Sequence, residues 1–185
     1  MQDDALVERE AGSNTAQASL PIDAWTPPSV RPPVQAARLD TGDELVAFAD
    51  TILARQAFST RLGTELVAFV PGRAELALRI SDDLRQQHGY VHGGVLAYLA
   101  DSALTFAAGS VLGDCVTVEF KINYLRPAVG DGRLIAVADV LSHGRSIAVA
   151  QCQIFREEPA PGRELCAVAQ GTLKRRARSK PSDMG

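Results

Sequence analysis

Up to about residue 40 the chain shows no sustained alternation of apolar and polar positions; from Thr41 onward it becomes periodic. Thr41-Gly-Asp-Glu44 has the form of a helix-capping box. Leu45, Phe48, Ala49, Ile52 and Leu53 follow at helical spacing, which predicts an amphipathic helix over 41–58. Glu65–Val70 and Ala74–Ile80 then alternate as strands, and Pro71-Gly72-Arg73 between them is a turn signal, so they form a hairpin. After a polar loop, Ser81 to Val91, the apolar residues Val95, Leu96, Leu99, Ala100, Ala103, Leu104, Ala107 and Ala108 cover most of a helical circumference. That pattern predicts one long helix from His92 to Gly113, buried on nearly every side, with Gly113 as its C-terminal cap.

Four further strands are predicted at Cys115–Leu125, Arg133–Leu141, Ser146–Phe155 and Glu164–Leu173, each bounded by Gly- or Pro-containing turns. In the first of these Val116, Val118 and Phe120 fall on one face. Six strands with hairpin-like links make an α+β protein with a largely antiparallel sheet. A single long apolar helix requires that sheet to curve around it. A lone sheet on one helix leaves an edge strand and an outer face to cover, so a homodimer is expected.

Composition narrows the picture. The chain has 185 residues, 46% of them hydrophobic, and a net charge of −3, values of a soluble globular domain without the positive field that grips nucleic acid. Pro21, Pro27-Pro28 and Pro32-Pro33 mark residues 1–40 as disordered or as an extended arm packed on a partner subunit. Trp25 reads as an exposed residue of a flexible tail in the first case and as an anchor in the second, and the first is the plainer reading. Residues 176–185 form a flexible basic tail. The acidic N-terminus is unlike a secretory signal, and Val95 to Leu112 is short and polar for a bilayer span; a cytoplasmic protein without membrane insertion is expected. Cys115, Cys152 and Cys166 are an odd number outside any CxxC pattern, which fits buried thiols and neither a disulfide framework nor a metal site.

Chemistry concentrates in the run from Gln86 through His92-Gly93-Gly94 to Asp101. Asp101 lies about two and a half turns into an apolar helix, where a carboxylate is costly unless it is paired or used. It can be a structural residue at a polar seam, or a general base or nucleophile. Gly93-Gly94 at the start of that helix permits close approach to its unpartnered amides, which can hold a developing oxyanion. A glycine pair of this kind is also simply a tight turn. His92 reads as an orienting residue at the helix start, and His88 as a loop residue.

His92-Gly93-Gly94 followed by Asp101 resembles the signature of hotdog-fold acyl-CoA thioesterases of the PaaI type. The run Val116-Thr-Val-Glu-Phe-Lys-Ile-Asn-Tyr-Leu-Arg-Pro127, the Gly144-Arg145 turn and Ala169-Gln170-Gly171-Thr172 are similar to later family patterns. The resemblance implies a hotdog domain over 59–175 that hydrolyses an acyl-CoA thioester with no cofactor and no metal. In it Asp101 is the general base or nucleophile, and the Gly93 amide polarises the carbonyl. Gln86 positions the water or thioester, and Thr117 binds the attacking water. Gln86 departs from the Asn frequent at that position. The resemblance further implies that a neighbouring subunit or strand completes the site in a homodimer or homotetramer. The substrate contacts it implies are His92, Gly94, Tyr124, Arg126, Ser142, His143, Gly144, Arg145 and Ser146, with Arg126 and Arg145 on the CoA phosphates. Tyr90, Tyr98, Phe106 and Leu125 are candidates to shape the acyl pocket.

Two other activities are compatible with a hotdog domain. A hotdog hydratase or dehydratase would pair His88 or His92 with an acid, but its Asp-x-Asn-x-x-His motif is missing from the sequence. A non-catalytic acyl-CoA-binding protein would have no need of Asp101, and no helix-turn-helix pattern occurs in the first 40 residues.

Overall fold

The structure, a computed structural model, describes residues 43–158 and 162–177. The arm expected over 1–40, Trp25 within it, and all but the first two residues of the expected basic tail lie outside the described residues. Two short helices, α1 (Asp43–Ala54) and α2 (Ala57–Leu62), precede the hairpin β1 (Glu65–Val70) and β2 (Arg73–Arg79). A loop leads to the long helix α3 (Gly93–Leu112), then to β3 (Cys115–Tyr124), β4 (Arg133–His143), β5 (Ile147–Glu157) and β6 (Arg163–Arg175). The six strands form one antiparallel sheet in the order β1-β2-β4-β5-β6-β3, curved over α3 as in a hotdog fold.

The core lies between α3 and the concave face of the sheet. Leu99, Ala100, Ala103, Leu104, Ala107 and Ala108 of the helix are completely buried, against Leu76, Leu134, Ala136, Ile154, Ala167 and Leu173 of the strands. Alanine dominates the helix side because a wrapped helix must approach the sheet closely. His92 caps α3 by accepting the Gly94 amide proton on Nδ1 at 2.9 Å, and the Gly113 amide closes the far end on the Gly109 carbonyl.

Four expectations need correction. The single helix over 41–58 is two helices broken at Arg55-Gln56, and the second runs on to Leu62. Of the residues thought to form its inner face, Ala49 and Leu53 are buried, whereas Phe48 and Ile52 point outward. The long helix is not enclosed on every side: the sheet covers one flank, and Val95, Tyr98, Asp101, Ser102 and Thr105 remain partly exposed on the other. With 20 residues α3 is also long and apolar enough to cross a membrane by length and composition alone, contrary to the expectation from Val95–Leu112. In this fold its apolar surface is met by the sheet.

The fourth correction concerns β3. Its pairing with β6 shifts register between Thr117 and Glu119, so Val118 is an inserted bulge residue. One extra residue reverses the side on which all later side chains point. Val116 and Val118 therefore face outward, while Thr117, Phe120 and Ile122 are partly buried and the latter two pack on the core.

Candidate active site

Two groups of side chains form along α3, one at its start and one near its middle. The first is built on the loop before the helix. Gln86 sits in a tight turn closed by its amide on the Tyr90 carbonyl at 2.8 Å and by the Gly89 amide on the Gln86 carbonyl at 2.9 Å. Gly89 takes φ +79°, a left-handed conformation that favours glycine. Arg85 pins this turn from behind: its guanidinium donates to the Gly89 and Gly130 carbonyls at 3.2 and 3.0 Å and pairs with Asp131 at 3.1 Å. Val91 and His92 donate their amides to the Ala128 and Leu84 carbonyls, which fixes where α3 begins.

Around this helix start opens a cleft of about 320 Å³ lined by Gln86, Gly93, Leu96, Tyr124 and Arg126, among others. Tyr124 donates its hydroxyl proton to the Gly93 carbonyl at 3.0 Å, and its ring lies against the open side of Gly93. Gly93 is the first residue of the helix, and an α-helix leaves its first amides without an internal acceptor. Of the residues expected to shape an acyl pocket, Tyr90 and Leu125 line or flank this cleft. Tyr98 instead bonds Thr64 at 2.8 Å and packs edge-on to Phe58, and Phe106 is core, packed edge-on to Phe69.

The second group surrounds Asp101, on the open flank of α3. Eight residues beyond Gly93, it lies about 12 Å farther along the helix axis. Thr117, on the edge strand β3, donates its hydroxyl proton to Asp101 Oδ1 at 2.6 Å, and Thr105 Oγ1 lies 3.0 Å from Thr117 Oγ1. Sequence reasoning missed Thr105; its position one turn beyond Asp101 on the same helix face was the available signal. Nearby, burial and the charge of Asp114 push the Cys115 thiol up to about 11, so this thiol is no nucleophile at neutral pH.

Asp101 and Thr117 thus meet within one chain, and so do Gln86, Gly93, Tyr124 and Arg126, but the two groups stay apart. The remaining candidates lie at the exposed β4–β5 hairpin: Ser142 and His143 end β4, and Gly144, Arg145 and Ser146 form the turn. That turn sits beside the Cys115 end of β3, because Ser146 bonds Arg175 and Arg175 pairs with Cys115. Arg126 follows the opposite end of β3 and is tied to the Leu165 carbonyl at 3.2 Å. Within one chain Arg126 and Arg145 are therefore at opposite ends of the sheet.

Residues 88–162 match the family model described as the thioesterase superfamily. A provisionally named esterase of Haemophilus influenzae is 33% identical over 117 residues, covering 62% of this chain and 81% of its own. The acyl-coenzyme A thioesterase PaaI of Escherichia coli is 26% identical over 110 residues, 60% of this chain and 79% of that protein. Among solved structures, a thioesterase family protein from Silicibacter pomeroyi superposes with a TM-score of 0.64 at 34% identity, over 68% of this chain and 93% of that one.

Proposed function

The chain belongs to the thioesterase superfamily and is a thioester hydrolase, and from that premise we propose that it cleaves an acyl-CoA to a free acid and CoA at Asp101. The observation that carries this reading is the 2.6 Å bond from Thr117 to Asp101 Oδ1. It holds a partly exposed carboxylate on an otherwise apolar helix and leaves Oδ2 for the reaction. In the base mechanism, water adds to the thioester carbonyl carbon as Asp101 takes its proton. The negative charge on the former carbonyl oxygen is met by the Gly93 amide, a type of contact that contributes a few kcal/mol. The intermediate then collapses, breaks the carbon–sulfur bond, and the Asp101 acid returns the proton to the departing thiolate. In the nucleophilic alternative Oδ2 attacks the carbonyl, expels the thiolate and forms a mixed anhydride that water opens.

A dimer supplies the missing half of each site. Among the described residues, edge strand β3 pairs with β6 alone, whereas the opposite edge, β1, packs against α1. Asp101 and Thr117 lie toward the Cys115 end of β3, and the Gln86–Gly93–Tyr124–Arg126 cleft toward its Tyr124 end. Two β3 edges paired antiparallel would therefore set Asp101 of one protomer beside the Gln86 cleft of its partner, twice. The same pairing would bring the Arg145 turn of one protomer toward Arg126 of the other, as binding the phosphates of one CoA requires. Two such dimers would make the expected homotetramer.

The test is Asp101→Asn assayed with a panel of aliphatic and aromatic acyl-CoAs. Hydrolysis should fall about 10²- to 10⁴-fold with the circular dichroism spectrum unchanged. Wild-type rates in the variant would sink the assignment. Single-turnover reaction in ¹⁸O-water tests the anhydride route: label found in Asp101 requires an anhydride opened by water at the aspartyl carbon, whereas attack at the acyl carbon labels the product acid in either route.

A further inference from the structure

α3 begins on a glycine joint, Gly93-Gly94, and glycine restrains its own backbone less than any other residue. An amide that must meet a developing charge has to be aimed in advance, so other groups must hold this joint. His92 takes two of the first amide protons of the helix: its Nδ1 accepts from Gly94 and its carbonyl from Val95, both at 2.9 Å. Among the described residues the Gly93 amide has no acceptor, so the cap leaves that N–H for the cleft.

The Gly93–Gly94 peptide is held at both ends. Its N–H goes to His92, and its carbonyl, that of Gly93, accepts the Tyr124 hydroxyl proton at 3.0 Å. The Tyr124 ring also fills the side of Gly93 where a side chain would begin: a Cβ there would lie 3.4 Å from two ring carbons. Tyr124 is itself anchored. It ends β3 opposite Ala167 of β6, and the next two amides, of Leu125 and Arg126, donate to the Cys166 carbonyl at 2.8 and 3.1 Å. Its direction comes from the bulge at Val118, after which Phe120, Ile122 and Tyr124 alternate onto the side of the strand that faces α3. Without the inserted residue Tyr124 would point away from the helix.

We infer that Tyr124 is a positioning residue for hydrolysis: by clamping the Gly93–Gly94 peptide it aims the Gly93 amide at the oxygen that becomes negative. This rests on the reading of Gly93 as the oxyanion donor of an acyl-CoA thioesterase. The family resemblance implies a different job for Tyr124, direct contact with the substrate. A contact acts on affinity. A clamp acts on turnover, because the charge on the oxygen develops only on the way to the transition state.

The experiment compares Tyr124→Phe, which keeps the ring and removes the hydroxyl, with Tyr124→Leu, which removes both; Asp101→Asn runs alongside. Turnover is measured with hexanoyl-CoA and benzoyl-CoA. Affinity is measured with S-hexyl-CoA, a thioether that has no carbonyl oxygen for the Gly93 amide to meet. Tyr124→Phe should lower kcat about tenfold, with KM and the thioether Kd within about twofold of wild type. Tyr124→Leu should lower kcat at least as far. An unchanged kcat in either variant would overturn the inference, and so would a thioether Kd that rises as far as kcat falls, which would make Tyr124 a substrate contact. Wild-type protein inactive on both acyl-CoA probes, or an active Asp101→Asn, would instead overturn the acyl-CoA reading beneath it.

Discussion

A methyl group at Gly171 would sit 2.7 Å from Phe120 Cβ and 2.8 Å from the Glu119 carbonyl oxygen. Those atoms belong to the segment just after the Val118 bulge, where β3 presses onto β6. The absence of a side chain at Gly171 is therefore what lets the bulge close and Thr117 reach Asp101. Gly171→Ala should destabilise the fold by about 1–3 kcal/mol, read from urea unfolding, and lower kcat as the bulge shifts. Unchanged stability and turnover would mean the strand pair relaxes freely. At this scale legibility followed chemical contrast. Asp101 stands out because a carboxylate is costly on an apolar helix, whereas Thr117 was reached only through resemblance. Thr105 carried only its place one turn beyond Asp101, a weak signal until the Thr117 hydroxyl is seen 3.0 Å from its own. Val116 and Val118 were misread because the bulge between them and Phe120 leaves no mark in the alternation.

Elements were more legible than residues because period and punctuation survive packing. The long helix with His92 and Gly113 at its ends, and all six strands, follow from apolar spacing and turn residues. The break between α1 and α2 does not: Arg55-Gln56 contains no Gly or Pro, and the second helix starts where Gln56 accepts the Ser59 hydroxyl and the Thr60 amide. Charge pairing at the joined ends of β4, β5 and β6 was equally hidden, because it depends on register. Glu157 there accepts from Arg163 at 2.8 Å and from Arg133 at 2.6 Å. The Arg163 hydrogen bond is the largest influence holding its carboxyl below the ordinary glutamate range; partial burial opposes it and Arg133 adds to the lowering. A carboxylate depressed in the folded state stabilises that state at pH above its unfolded value. The contribution is lost as pH falls through the lower folded value. The urea midpoint should therefore decline on acidification below the ordinary glutamate range, and Glu157→Gln should flatten that part of the profile. Parallel profiles in the two proteins would remove Glu157 from the account. The pair is partly exposed, so the effect should shrink in high salt.

On the scale of the whole molecule, one chain carries two separate groups of candidate residues toward opposite ends of one edge strand, and the antiparallel pairing proposed for β3 would bring each beside the other's counterpart. The sequence indicated an unsatisfied edge but could not say which strand carried it, because strand order is set by long-range pairing. Complementation tests the arrangement. Gln86→Ala removes the cleft amide and Asp101→Asn the carboxylate, so each homodimer should be nearly inactive. In a mixed dimer one site receives both substitutions and the other neither. Unfolded together and refolded at equal concentrations, the two variants should assort at random and regain about a quarter of the wild-type sites. If the site is instead complete within one chain, every chain in the mixture carries a lesion and no activity returns. Differently tagged subunits, purified through both tags, confirm that mixed dimers have formed before rates are compared. An inactive doubly tagged dimer would refute the shared site. A Gln86→Ala homodimer with wild-type rates would remove Gln86 from it.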